Sequence, residues 1–310
     1  MTTAAADNVD LDRRVGRSLW GDALRKLARD KAAVACFVVI VVYSAVAIFA
    51  PLMFPHWDAS YNYNNTNARP SLANPFGTDL FGRSIFQKTL LGAHVSMAVG
   101  FFSNLIAVPL GMLLGAIAGY YGKWIDDVIV WLYSTLASIP GIVLLLALRF
   151  AFADQKLFAG RAYQIDLGGM SGLCIALGVM SWVGTCRLVR AETMKIRQLD
   201  YVLAARSIGT GSFVVLLRHV LPNVFHIGII QFSLGFVGAI AAEVTLSYLG
   251  LGVKDLPSWG KMINGARIDL VVGRWNEVTA AVGATFLIIM AWNVFGDRLR
   301  DALDPRLRTL

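Results

Sequence analysis

Very few side chains in this sequence sit where they could carry acid–base or covalent chemistry. Glu243 is the single charged residue between His219 and Val253. An acid in so apolar a stretch is costly and marks a functional or tightly hydrogen-bonded position. It lies about 20 residues from the inner end of its apolar run, which at about 1.5 Å per residue places it near the outer edge. There it either lines the outer mouth of a pathway or holds the turn Ser247–Gly252. His94 and His226 fall near the ends of apolar runs and belong to no matched ligand set. Cys36, Cys174 and Cys186 are far apart and form no CxxC pair. That pattern argues against a zinc site and against a disulfide framework. The sequence holds no GxxxxGK[ST] phosphate loop and no HExxH pair, so no ATP or metal site of its own is expected. Any energy source must come from a partner.

The elements that position these residues are apolar spans. Residues of the AVILMFWYC set make up 56% of the 310 residues and charged residues 15%, against roughly 25% charged in soluble domains. Charge-free runs lie between Lys31 and Asp58, Lys88 and Lys123, Asp127 and Arg149, Asp166 and Arg187, and Glu277 and Asp297. With the run around Glu243, these give six stretches of the length a bilayer-spanning helix needs. The expected spans are 33–53, 93–118, 126–149, 168–188, 224–250 and 278–296. This patterning excludes a soluble enzyme, a disordered protein and a disulfide scaffold. The net charge of +8 is dispersed between apolar runs, which argues against a nucleic-acid partner. With the N-terminus inside, 18 of the 28 Lys and Arg residues fall in inner segments, so both termini are expected on the cytoplasmic side.

Residues 1–32 form a polar tail in which Leu19, Trp20, Ala23, Leu24 and Leu27 recur at helical spacing. They suggest an amphipathic helix at the membrane surface, leading into an uncleaved first span. Segment 54–92 is an external loop, 93–297 the five-span core, and 298–310 a cytoplasmic tail. Gly111, Gly115 and Gly119, four apart, offer one face for close helix packing. Pro109 and Pro140 interrupt the second and third spans.

The inner connection 187–222 reads as two short helices. Asp200 is expected to cap Tyr201–Ile208, Gly209 to supply the left-handed turn, and Ser212 to cap Phe213–Val220 before Pro222. Ala204 and Ala205 give the first helix a low-relief face. Such a hairpin suits docking into a groove of another protein, or resting on lipid.

The stretch Tyr201-Val-Leu-Ala-Ala-Arg-Ser-Ile-Gly209, with Arg218-His-Val-Leu-Pro-Asn223, resembles the EAA loop of ABC importer permeases. Phe76-Gly-Thr-Asp-Leu-Phe-Gly-Arg83, Leu246-Ser-Tyr-Leu-Gly-Leu-Gly252 with Pro257-Ser-Trp-Gly260, and Asn293–Arg306 are similar to the C-type permeases of dipeptide, oligopeptide and nickel importers. The resemblance runs from about residue 20 to the end. It implies an all-α membrane protein with six transmembrane helices and the type I importer permease fold. It also implies a coupling helix, with Arg197, Tyr201, Ala204, Ala205, Arg206 and Gly209 facing the ATPase. Implied partners are a homologous second permease, two cytoplasmic ATPases that carry ATP and Mg, and an external binding protein. The implied location is the bacterial inner membrane, and the implied cargo is a di- or oligopeptide, with nickel as the alternative. A stand-alone channel or scaffold is the reading from another class. Leu203 stands where the family has its glutamate, so the ion pair which that acid makes is missing.

Overall fold

The computed structural model describes residues 19–57, 60–152, 155–157, 165–253 and 256–303. An amphipathic helix, α1 (Leu19–Arg29), meets the first span, α2 (Lys31–Met53), at Asp30. The Asp30 carboxylate accepts the Ala32 N–H at 2.8 Å, satisfying a free donor at the helix start. It also pairs with Arg298 near the chain's far end.

Helix α3 (Ile85–Tyr121) is much longer than the expected span 93–118. Its first turns continue past the apolar run because Lys88 finds acidic partners, described below. At about 1.5 Å per residue it exceeds the roughly 30 Å hydrocarbon core. Pro109 lies inside it without ending it. Pro140 behaves differently. The expected third span 126–149 is two helices, α4 (Lys123–Ser138) and α5 (Gly141–Phe152), bent by 90°. Ile139, the residue before the proline, is extended (φ −91°, ψ 131°), as the proline ring requires.

Two-residue strands β1 (Lys156–Leu157) and β2 (Ile165–Asp166) pair antiparallel and lead into α6 (Met170–Ile196). The short helix α7 (Asp200–Ser207) follows. The expected second short helix does not stand alone. It is the start of α8 (Ser212–Tyr248), which passes through a π segment at Leu216–Val220 just before Pro222. The proline's missing N–H falls where the ladder has already widened, so the helix continues. The outer connection 251–277 holds α9 (Trp259–Val271), and α10 (Asn276–Leu303) closes the described chain. Among the described residues, five helices are long and apolar enough to cross a membrane, or six spans if the bent α4–α5 pair counts as one.

Helix α3 is the hub, packed along α6 and against α8 and α2. The glycine line sets the closest approach. A Cβ on Gly111, Gly115 or Gly119 would come within 2.6 Å of the carbonyl oxygens of Trp182, Cys186 and Arg190 in turn. Three glycines four apart therefore meet three carbonyls four apart, and no larger residue fits at any of them.

Candidate coupling site and its supports

Between α6 and α8 the chain makes one tight excursion. Gly209 has φ +85°, and no atom crowds its missing side chain. Glycine is required there by the backbone conformation alone. The N–H of Gly209 bonds the Arg206 carbonyl and that of Thr210 bonds the Ala205 carbonyl, closing the end of α7. The caps sit one residue earlier than the sequence suggests. Leu199 and Gly211 hold the N-cap positions, and Asp200 and Ser212 are the first helical residues with no side-chain cap bond.

The eight residues of α7 divide sharply. Val202 and Ala205 turn inward and join Ile196, Val215, Leu216 and Val220 in a core that reaches Ala116 and Tyr120 of α3. Tyr201, Leu203, Ala204 and Arg206 face outward. The expectation that Ala204 and Ala205 share a docking face is corrected here, since Ala205 is only 8% exposed and is occupied by the chain's own packing. Leu203, at 45%, is a free apolar knob where the family pattern places an acid.

Arg197 also takes an inward role. Its Nη1 donates to the carbonyl oxygens of Gly119 at 3.0 Å and Tyr120 at 3.3 Å. These are among the last, unpaired carbonyls of α3, where a cation is favoured by the helix dipole. Arg206 lies 6.0 Å over the Tyr120 ring. The Tyr201 hydroxyl accepts from Asn223 Nδ2 at 3.2 Å, linking α7 to α8. On the preceding helix α6, Arg190 grips Asp126 at the start of α4 with two bonds of 2.5 and 2.6 Å. A short helix exposed on one side is thus fastened on the other to α3 and α8, while α6 holds α4.

Glu243 is fully buried. Ser96 of α3 and Ser247 of α8 donate to its two oxygens at 2.8 and 2.6 Å, and Ser258, which caps α9, bonds it as well. The acid is a three-helix junction beside the Ser247–Gly252 turn, and it does not line an open pathway.

The Phe76–Arg83 motif builds the outer loop. Gly77 and Gly82 have positive φ, and a Cβ on Gly82 would strike the Asn62 carbonyl. The Asp79 carboxylate accepts the N–H groups of Phe81 and Arg83, both at 2.9 Å. Its second oxygen accepts from Arg83 at 2.9 Å and Lys88 at 3.3 Å. Lys88 in turn reaches Glu277 of α10 at 2.6 Å. The Arg83 guanidinium stacks on Trp57 and Phe81. Burial pushes the Asp79 carboxyl up, but the Lys88 charge and the bonds from Arg83 outweigh it and hold it below the usual aspartate range.

Sequence reasoning missed Arg149, which marked only the end of an apolar run. It is buried at the far end of α5 and bonds backbone carbonyls of two separate turns. Carbonyl partners leave no signature in side-chain spacing, so no motif could have found it.

The fold and this site define a multi-pass transport permease of the type I importer class. The profile of the binding-protein-dependent transport system inner membrane component family matches residues 111–309. A second profile, the N-terminal transmembrane domain of oligopeptide transport permease C, matches residues 18–74. The chain belongs to the binding-protein-dependent transport system inner membrane component family. It is 35% identical over 295 residues to the glutathione transport system permease protein GsiD of Pectobacterium atrosepticum, covering 94% of this chain and 93% of that one. It is 33% identical over 299 residues to the dipeptide transport system permease protein DppC of Alkalihalophilus pseudofirmus, covering 96% and 93%. A solved chain of the MetNI methionine ABC transporter, in inward-facing conformations, shares the fold with TM-score 0.50 at 17% identity, over 70% of this chain and 93% of that one. As a member of this family, the chain is an inner-membrane transport subunit.

Proposed function

We propose that this chain is one of two homologous permeases in an ATP-driven importer of small peptides. The observation that carries the coupling role is the two-sided α7. Its residues Tyr201, Leu203, Ala204 and Arg206 are exposed to a partner, while Val202, Ala205, the neighbouring Arg197 and the Tyr201–Asn223 bond pin it to the spans. Such a helix suits the groove of a cytoplasmic ATPase. Two ATPases would carry ATP and Mg, one at each permease, and an external binding protein would deliver cargo. This chain would bring no cofactor of its own. The excess of Lys and Arg in inner segments supports cytoplasmic termini. Peptide is favoured over nickel because the relatives are named for glutathione and dipeptide transport.

The mechanism follows from the fastenings. A push on α7 passes through Arg197 to the end of α3, and through Tyr201–Asn223 to α8 just past its π segment. The α3–α6 pair moves as one because its glycine line leaves no slack. Substrate preference would be set mainly outside the membrane, by the binding protein. The test is uptake of a labelled dipeptide into proteoliposomes holding the chain, its second permease, both ATPases and the binding protein. ATP-dependent accumulation is expected. Accumulation of Ni²⁺ without dipeptide would establish the nickel reading. Flux without ATP would establish a channel.

A further inference from the structure

We propose that the groove between α3, α8 and α10 is a binding site for an anionic phospholipid of the inner leaflet, which lays one acyl chain in it. The inference rests on the reading above that puts the 187–222 connection on the cytoplasmic side. The length of the groove, its closed end and the charges at its mouth carry it.

The length selects a lipid chain. The groove encloses about 580 Å³. Gly228 and Ile229 line it from α8, Leu105 and Leu113 from α3, and Phe295 and Leu299 from α10. Leu105 and Leu113 are exposed, so the groove is open along its side. On α8 it runs from Leu221 to Ser233, about 18 Å at about 1.5 Å per residue. Half of a hydrocarbon core of roughly 30 Å is about 15 Å. The groove therefore begins at the inner end of the apolar run of α8 and stops near the middle of the bilayer. A spanning helix from a partner would have to continue through the other half. The chain of one leaflet ends where the groove ends.

The deep end is closed, and its polar atoms are turned into the protein. Trp292 stacks on Phe236 with ring centroids 4.3 Å apart, and its N–H is buried. The Ser233 hydroxyl packs toward Gly296 of α10, where a Cβ would come within 2.5 Å of it. Asn104 Nδ2 donates to the Gly100 carbonyl at 2.8 Å, and its Oδ1 packs toward Gly235. What faces the space is hydrocarbon, which suits a methylene chain and no polar cargo.

The mouth selects the headgroup. Arg218 stands one turn before Leu221, and Arg300 directly follows Leu299. Both are exposed, and neither takes part in an ion pair among the described residues. An arginine has the length to bring its charge to the rim while its stem lies along apolar surface. The nearby acids are directed elsewhere. Asp301 lines a separate cleft with Lys26 of α1, and Asp297, two residues from Leu299, points to another side of α10. Basic sites between spans on the cytoplasmic side, where anionic lipid is concentrated, hold phosphate headgroups.

The experiment maps lipid directly. The full importer complex is placed in nanodiscs of phosphatidylcholine with a small fraction of phosphatidylglycerol that carries a diazirine in one acyl chain. After illumination, adducts are located by mass spectrometry. Labelling per residue over 221–233 and 292–299 should exceed severalfold that at the exposed Val38, Val41 and Val42 of α2. Unlabelled phosphatidylglycerol should displace it, and added phosphatidylcholine should not. Arg218→Gln with Arg300→Gln should abolish that preference while the groove is still labelled. Ile229→Trp should fill the groove and remove its labelling with α2 unchanged. Leu105→Trp, at the exposed wall, makes the same test where folding is not at stake. Groove labelling no higher than on α2, or displaced equally by both lipids, would reduce the site to ordinary boundary lipid and defeat the proposal. An unlabelled groove in the complex would defeat it too, by showing that the second permease covers this face. Labelling in nanodiscs is blind to orientation, so an inverted bundle would show only in the labelling of Thr210→Cys from outside and would assign the lipid to the other leaflet. A labelled complex with no ATP-dependent uptake would remove the transport reading and leave the lipid site.

Discussion

Arg197 Nη1 donates to the Gly119 carbonyl at 3.0 Å, so the cation that precedes the docking helix is bound to the last turn of α3. If this bond transmits the ATPase stroke, Arg197→Ala should leave ATPases attached while uptake falls at least tenfold. The freed carbonyls would be rehydrated at modest cost, so assembly should survive. Arg197→Lys should recover part of the uptake. Co-purified ATPase and uptake, measured in the same vesicles, decide it. Parallel loss of both would instead place Arg197 at the docking face.

The outward and inward sides of α7 should separate on mutation. Ala204→Phe is expected to weaken ATPase co-purification at normal chain levels. Ala205→Phe overfills a packed site, at about 1–3 kcal/mol, and should lower the amount of folded chain itself. Leu203→Glu should change ATPase binding by less than about tenfold, because a rim charge contributes only about 0–1 kcal/mol. A reversal of the two alanine phenotypes would overturn the assignment of faces.

Gly209→Val tests the turn. A side chain at φ +85° carries roughly 1–2 kcal/mol of strain, more for a branched one. Insertion should be normal, and ATP hydrolysis should continue without uptake. Wild-type uptake would remove any need for the left-handed turn.

The Asp79 carboxyl gives the outer loop an acid limit. Its folded pKa is depressed, so its contribution to stability is full above the unfolded value and is lost as pH falls through the folded one. Loop protection against an external protease should therefore decline below about pH 4. Asp79→Asn should lower protection at neutral pH and flatten that decline. Asp79→Ala should cost about 3 kcal/mol, since Arg83 and Lys88 lose their shared partner. An unchanged acid profile in Asp79→Asn would assign the limit to other groups.

Topology has a direct check. A thiol placed by Leu72→Cys, in the exposed loop before the Phe76 motif, should react with an impermeant reagent added outside. One placed by Thr210→Cys should not. Labelling of the second in sealed cells would invert the bundle.

How legible this was in the sequence depended on what each feature is made of. Span number follows from apolar length, which is a local property. Gly209 was legible because the positive-φ requirement is also local, and so was the glycine line from Gly111 to Gly119. The side on which Ala205 lies was not. In eight residues, two alanines and a valine do not fix a phase, and the contacts with Ile196 and Val220 decide it. The same holds for Pro222, which the π segment absorbs, and for Pro140, which breaks its helix while Pro109 does not. Glu243 declared its importance through cost, but only the arrival of Ser96 from another helix shows that it is a junction.

The glycine face of α3 also bears on how the chain is made. Gly111, Gly115 and Gly119 emerge from synthesis well before Trp182, Cys186 and Arg190, with all of α4 and α5 in between. During that interval α3 sits in the bilayer with an unfilled groove that lipid chains cover poorly. Its partner helix must then arrive past two helices already inserted. Biogenesis therefore has a vulnerable window that opens when α3 leaves the ribosome and closes when α6 docks. A chain stalled before Met170 would present that open groove to membrane quality-control proteases as a mark of an unfinished product.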